Sequence, residues 1–406
     1  MRIILQNERS NHTIFMAVIV LMTSLFISRA FLSISLILFS ALTILHKNGP
    51  AQLKKTLKDP FLVSISLFFL IPFISGLWSV DWKEWLSVIK NKLPFLFLPV
   101  AFAGSWQLSE KQWKTIAYLF LALVLISCFR SLWLYFMDIR AINESYLRAK
   151  TIPTILDDDH VRFSWLVSIA ILVNSLLVYI SKSVKRKVLL FFPLILMVVY
   201  LHLLAVRTGL VSMYFFFFCF FFFLLLKQKK YSFFLASGIV LIGAVSWWSF
   251  PTLRNKIKYV RYDFSFVKSG GVPGTSDANR LISLDAGWYI LQNNPFGVGA
   301  GDFRNEVNKW YEKNIPGIKE PDIIFPSSEW AVYGDMAGWP AVLLFTFAIG
   351  FPLFVRKIRY RFFWSMLVSI LIIGCLAETT LEVQFGIFIY CFTILWMWKW
   401  FQFQNE

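Results

Sequence analysis

Five residues of this 406-residue chain have side chains suited to acting on a charged substrate: Arg162, Arg207, Arg280, Glu329 and His160. A guanidinium offers a planar fork of N–H donors that grips phosphate oxygens two at a time and needs no metal. Arg207 is the sharpest signal. From Val188 to Leu226 the chain is almost wholly apolar, broken by His202 and Arg207. An arginine inside such a run costs several kcal/mol unless it reaches water or an anion. Arg207-Thr208-Gly209 reads as a tight turn at a membrane surface, where Arg207 either snorkels to headgroups or clamps an anion. Arg280 opens a predicted helix to Asn293, with Asp277 as a candidate N-cap. Arg162 follows Asp157-Asp158-Asp159-His160, and either pairs with that acidic run or faces the same anion.

Proton transfer needs a carboxylate or imidazole within reach of the reacting hydroxyl. Glu329, in Pro326-Ser327-Ser328-Glu329-Trp330, is one candidate. Its alternative role is a first-turn carboxylate favoured by the helix dipole, with Ser327 or Ser328 as N-cap. His160, beside the acidic run, is the other. Glu378 and Glu382 would share a face if their segment were helical, and would be placed to pair with the arginines. Gly297, Gly299 and Gly301 form GxGxG, but no strand precedes them. The run therefore reads as a tight turn rather than a dinucleotide fingerprint. No His, Asp or Glu grouping has metal-ligand spacing, so no metal site and no cofactor is expected.

The elements that must position these residues are membrane helices. The chain is 58% hydrophobic with 44 Phe, against about 45–50% apolar in soluble domains. Apolar runs fall near 14–28, 30–45, 61–78, 85–103, 115–136, 163–180, 188–206, 209–226, 232–250, 338–355, 362–377 and 383–398. The expectation is an all-α polytopic membrane protein with about twelve transmembrane helices. A membrane domain over 1–250 carries spans one to nine, and a second over 338–406 carries the last three. Between the ninth and tenth spans lies one large polar loop with short helices, 251–337. The first two runs could instead be one tilted helix across Arg29, giving eleven spans.

The net charge of +17 has no basic-aromatic nucleic-acid module around it, so nucleic acid is not an expected partner. Much of the excess lies in short loops, where it sets topology and meets anionic membrane lipids. Lys47, Lys54, Lys55 and Lys58 form one cluster, and Lys182, Lys185, Arg186 and Lys187 a second. Lys227, Lys229 and Lys230 form a third, and Arg356, Lys357, Arg359 and Arg361 a fourth. With twelve spans all four fall on one side, which the positive-inside rule makes cytoplasmic, along with both termini. The loop 251–337 is then on the outer face. The basic stretch Arg254, Lys256, Lys258 and Arg261 resists that rule and reads alternatively as a surface helix facing phosphate. Cys128, Cys219, Cys375 and Cys391 all lie in apolar runs, without the spacing of a disulfide or zinc framework.

Taken in order, these features resemble the O-antigen ligase and polymerase superfamily of bacterial membrane glycosyltransferases. The matching places are Arg207 between two central spans, Arg280 opening a loop helix, Asn294-Pro295 through Gly301, and Tyr333-Gly334-Asp335-Met336-Ala337-Gly338 before a span. The resemblance covers most of 160–400. It implies an inner-membrane enzyme, working without a metal, that moves a glycan from undecaprenyl diphosphate on the periplasmic face. The acceptor would be a lipid A core or another glycan. Arg207 and Arg280 would bind the diphosphate with Arg162 assisting, and Glu329 or His160 would take the proton. The family places a histidine near Pro326–Glu329, and this chain has none in 203–406. The alternatives are a glycan polymerase, which makes the same bond to a different acceptor, and a non-enzymatic transporter or flippase of lipid-linked glycan.

Overall fold

Apolar runs of this length hydrogen-bond their own backbone as helices when water is absent. A computed structural model describes residues 2–45, 49–148, 150–155, 159–227, 229–274 and 277–402, with side chains from residue 11 onward, and contains no strand among them. In chain order the helices are α1 (Arg2–Ser24), α2 (Arg29–Ile44), α3 (Gly49–Lys58), α4 (Pro60–Ser75), α5 (Trp82–Lys92) and α6 (Pro94–Phe102). Then come α7 (Glu110–Met137), α8 (Ile139–Ser145), α9 (His160–Ile180), α10 (Val184–Leu204), α11 (Arg207–Lys227) and α12 (Lys229–Ser249). The stretch expected as a loop holds α13 (Pro251–Lys268), α14 (Asp277–Asn293) and α15 (Phe303–Asn314). The chain closes with α16 (Glu329–Gly350), α17 (Arg361–Leu376) and α18 (Gln384–Gln402). Lys47, Asp157 and Asp158 lie outside the described residues.

Among the described residues, eight helical stretches are long and apolar enough to cross a membrane: Pro60–Trp78, Trp82–Phe102, Glu110–Met137, His160–Ile180, Val184–Leu204, Arg207–Lys227, Lys229–Ser249 and Glu329–Phe354. A ninth is added if α2 and α3 form one broken span. The other expected spans fall on α1, α2, α17 and α18. Both α2 and α17 have 16 residues, about 24 Å of helix against a hydrocarbon core of about 30 Å. Residues 14–45 are not one tilted rod. The Ser24 and Ser35 hydroxyls meet at 2.7 Å, which a continuous helix would hold roughly 16 Å apart. The chain turns back at Ser28, whose side chain caps α2 through the Phe31 amide.

Two compact units divide the chain. One comprises Met1–Leu119, Val272–Thr275 and Asn279–Glu406; the other comprises Phe120–Gly271 and Ser276–Ala278. In the first, an apolar core made by Val88 of α5, Ala286 and Ile290 of α14, Phe303, Val307 and Tyr311 of α15, and Val332 and Met336 of α16 seats the loop helices. The glycine run locks onto it. Val298 N–H donates to Asp335 O at 2.8 Å, Gly299 N–H to Met336 O at 3.0 Å, and Trp339 N–H to Pro295 O at 2.9 Å. These bonds meet α16 where it breaks, at Ala337 and Gly338 (φ 72°). The run's other side is held by Ser75 and Ser79, whose hydroxyls accept from Ala300 and Gly301, and by Asp302, which accepts from the Val80 and Asp81 amides. GxGxG is thus a backbone clamp on a broken helix.

In the second unit, α10 ends on Ala205, at φ 52°. Its last carbonyls are satisfied from outside the helix. Tyr146 Oη donates to Leu204 O at 3.0 Å and Thr252 Oγ1 to Leu203 O at 2.7 Å. Gly209 of α11 lies where a Cβ would strike the backbone of Ser164 in α9, so these two helices cross in close contact.

A Cβ at Gly338 would run into the Pro295 carbonyl, and the φ is left-handed. Gly350, at the end of the same helix, has open space around it. Gly338→Ala should therefore lower the melting temperature in detergent, at a cost of about 1–3 kcal/mol. Gly350→Ala should leave it unchanged or slightly raised. Equal melting of the two variants would contradict the clamp.

Candidate functional site

Arg280, Glu329 and Lys92 converge on one short segment, Glu378–Glu382, which joins α17 to α18. The Arg280 guanidinium pairs with the Glu378 carboxylate. Glu329 Oε1 accepts the Leu381 amide. Lys92, at the end of α5, places its ammonium 2.6 Å from Glu382 Oε1 and 3.2 Å from Leu381 O, and donates to Tyr333 Oη at 3.2 Å. Tyr333 in turn donates to Phe68 O at 2.9 Å, and the ammonium lies 4.6 Å from its ring centroid. Lys92 and Glu329 are buried and Glu382 nearly so. An ion pair this dry needs further hydrogen bonds to offset its desolvation, and Lys92 has two, to Leu381 O and Tyr333 Oη. The segment is a 3-10 turn, Thr380–Glu382, so Glu378 and Glu382 do not share an α-helical face, and their partners differ.

The helix that carries Arg280 also positions the chain leading into Glu329. Asn279 donates to Asp322 O at 2.6 Å and accepts from Tyr311 Oη at 2.9 Å. Ser283 bonds Ser327 twice, hydroxyl to hydroxyl and hydroxyl to amide, each at 3.0 Å. That pairing holds Ser327 against α14. Ser328 occupies the N-cap position of α16 but its side chain makes no capping bond. Glu329 sits in the first turn, where the helix dipole favours a carboxylate. Sequence reasoning missed Asp335. It is fully buried, and neither carboxylate oxygen has a hydrogen-bond partner among the described residues. Its one sequence signal is an acidic residue inside an apolar segment.

Arg207, Arg162 and His160 belong to the other unit. Arg207 is the first residue of α11 rather than part of a turn; the turn lies just before it, around the left-handed Ala205. Its Nη2 is 2.9 Å from Asp277 Oδ2, and the side chain is 54% exposed. Lys256 approaches the same oxygen at 3.7 Å. Asp277 is thus an acidic partner in the first turn of α14. Beside it, Asp263 accepts the Ala278 amide at 2.8 Å. Burial, then the charges of Asp263 and Asp277, then neighbouring Tyr262, push the Tyr259 phenol up to about 12. His202 is buried, with Nε2 2.6 Å from Tyr214 Oη. Arg162 closes back on its own helix cap, with Nη1 2.6 Å from Asp159 Oδ2. His160 opens α9 beside that cap, partly buried.

Arg207 and Arg280 stand in the first turns of their helices, each part-exposed and each paired with a carboxylate. Residues 192–346 match the O-antigen ligase family model. That stretch, under half of the chain, is similar to O-antigen ligases. The matched stretch runs from within α10 into α16 and takes in Arg207, Arg280, the glycine clamp and Glu329. Lys92 and the Glu378–Glu382 segment lie outside the matched stretch, although Arg280 and Glu329 within it are bound to that segment. A comparison with curated proteins found no match. Among the described residues no group of three His, Cys, Asp or Glu side chains could hold a metal ion.

Removing Lys92 strands a buried carboxylate. Lys92→Met should destabilise the protein by about 3–5 kcal/mol, and the double variant Lys92→Met with Glu382→Leu should recover much of that loss. Chemical denaturation in detergent measures both. A double variant as unstable as the single one would show that the pair is not coupled.

Proposed function

We propose that this protein transfers a glycan from undecaprenyl diphosphate to a hydroxyl acceptor at the outer face of a bacterial inner membrane, as an O-antigen ligase does. The observation that supports it most is the placement of Arg207 and Arg280 within the family-matched stretch, each at a helix start and each open to a ligand. The reading keeps twelve spans, cytoplasmic termini and 251–337 on the periplasmic face. The acceptor hydroxyl attacks the anomeric carbon as the bond to the diphosphate oxygen breaks. The lipid diphosphate leaves with the bond's electron pair, and the hydroxyl proton passes to a base. Charge grows on the leaving diphosphate, so its ligands stabilise the transition state more than the ground state.

In this reading Arg207 and Arg280 are phosphate ligands, exchanging part of their contact with Asp277 and Glu378 for the donor. Glu329 is the proton acceptor and His160 the alternative. Arg162 has a supporting role, since Asp159 already holds it. Lipid A core is the acceptor for a ligase, whereas a polymerase makes the same bond to a growing glycan.

Surface-glycan ladders in a deletion strain complemented with variants test the proposal. Arg207→Ala and Arg280→Ala should each lose about 3–4 kcal/mol of transition-state stabilisation, enough to empty the ladder. Glu329→Gln keeps an acceptor oxygen for the Leu381 amide but cannot take a proton, so it should cost about 10²–10⁴-fold with the protein still folded. Full ladders from both arginine variants would refute the diphosphate assignment. Full activity in Glu329→Gln would reduce Glu329 to a structural anchor.

A further inference from the structure

The helix α13 has an inside-out distribution of side chains. Its inner side is polar and bonded: Thr252 to Leu203 O, Asn255 to Asn143 O at 2.8 Å, Lys256 toward Asp277, and Asp263 to the Ala278 amide. Those residues recur at the three- and four-residue spacing of one helix face. The exposed side carries Ile257, Lys258, Arg261, Tyr262, Phe266 and Lys268. Tyr262 is 64% and Phe266 42% exposed, and their rings stack one turn apart with centroids at 6.0 Å. A helix facing water gains nothing from exposing a stacked aromatic pair.

The preceding helix says what lies against that side. Only 11% of the apolar window of α12 is buried, as expected of a span bordered by lipid. Its last turn exposes Trp247 and Trp248, the residue type that settles at the headgroup level. Only Phe250 separates this end of the span from Pro251 at the start of α13. The start of α13 therefore sits at the membrane interface, with aromatic rings and three cations on the side the protein leaves uncovered.

We propose that α13 lies in the headgroup layer of the bilayer. Tyr262 and Phe266 enter the acyl boundary, and Lys258, Arg261 and Lys268 bind the phosphates of anionic phospholipids. The contact explains a basic cluster on a side of the membrane where topology disfavours one. Its inner side meanwhile holds Asp277, the partner of Arg207. The inference is independent of glycan transfer and would stand if that reading failed.

The test uses the full chain in nanodiscs, with photoreactive benzoylphenylalanine at position 262 or 266 and mass spectrometry of the adducts. Both positions should crosslink to lipid, several-fold more to phosphatidylglycerol than to phosphatidylcholine in mixed discs. The triple variant Lys258→Gln, Arg261→Gln and Lys268→Gln should abolish that preference and keep the lipid adducts, which also shows that it remains folded. Absence of lipid adducts at both positions, or adducts to protein or glycan instead, would overturn the proposal. So would lipid adducts without preference in the unsubstituted protein.

Discussion

Within the first unit, much depends on a single buried contact, Lys92 against Glu382 at 2.6 Å. Charge this deep is tolerated only if it is paired and fully bonded, so the pair fixes α5, α16 and the turn before α18 against one another. The turn can then present Glu378 to Arg280 and the Leu381 amide to Glu329. Five consecutive residues thereby tie two family-matched side chains to a part of the chain that the family model does not reach. If the lysine were lost, the uncompensated carboxylate would disturb the very segment that positions Arg280.

The glycine clamp serves the same end from the opposite direction. A continuous helix through Ala337 and Gly338 would leave Val298, Gly299 and Trp339 without their backbone partners. The break instead offers the Asp335 and Met336 carbonyls to the loop and takes the Pro295 carbonyl in return. The loop helices α14 and α15 are thereby fastened to α16 by backbone bonds as well as by their apolar core. A site built on elements this constrained can hold charged side chains in fixed positions, which is what preorganised stabilisation of a leaving diphosphate requires.

Much of this was legible in the sequence because helix formation in an apolar medium is driven by local hydropathy. All twelve apolar runs coincide with helices, and the helix opened by Arg280 begins three residues earlier than expected. Less visible was anything set by long-range partners. Lys92 reads in sequence as a stray charge in a span, because its acidic partner Glu382 lies 290 residues away. Arg207 reads as a turn residue, because the left-handed Ala205 that makes the turn has no sequence signature. Asp277 reads as an N-cap, and only the fold reveals it as the partner of Arg207. Glu378 and Glu382 read as one helical face, where a 3-10 turn separates their roles. The count of spans is the least decided by sequence, since 16-residue helices fall short of the bilayer's thickness.

The proposed role of the arginines in the family-matched stretch is to stabilise a departing lipid diphosphate. It is tested most directly by reconstituting the purified full chain in liposomes with undecaprenyl-diphosphate glycan and a lipid A core acceptor, and following release of the lipid diphosphate. The account predicts glycan-coupled release by the wild type, slowed by about 10²–10³-fold in Arg280→Ala. Release at the wild-type rate from Arg280→Ala, or no release from a folded wild type, would contradict it.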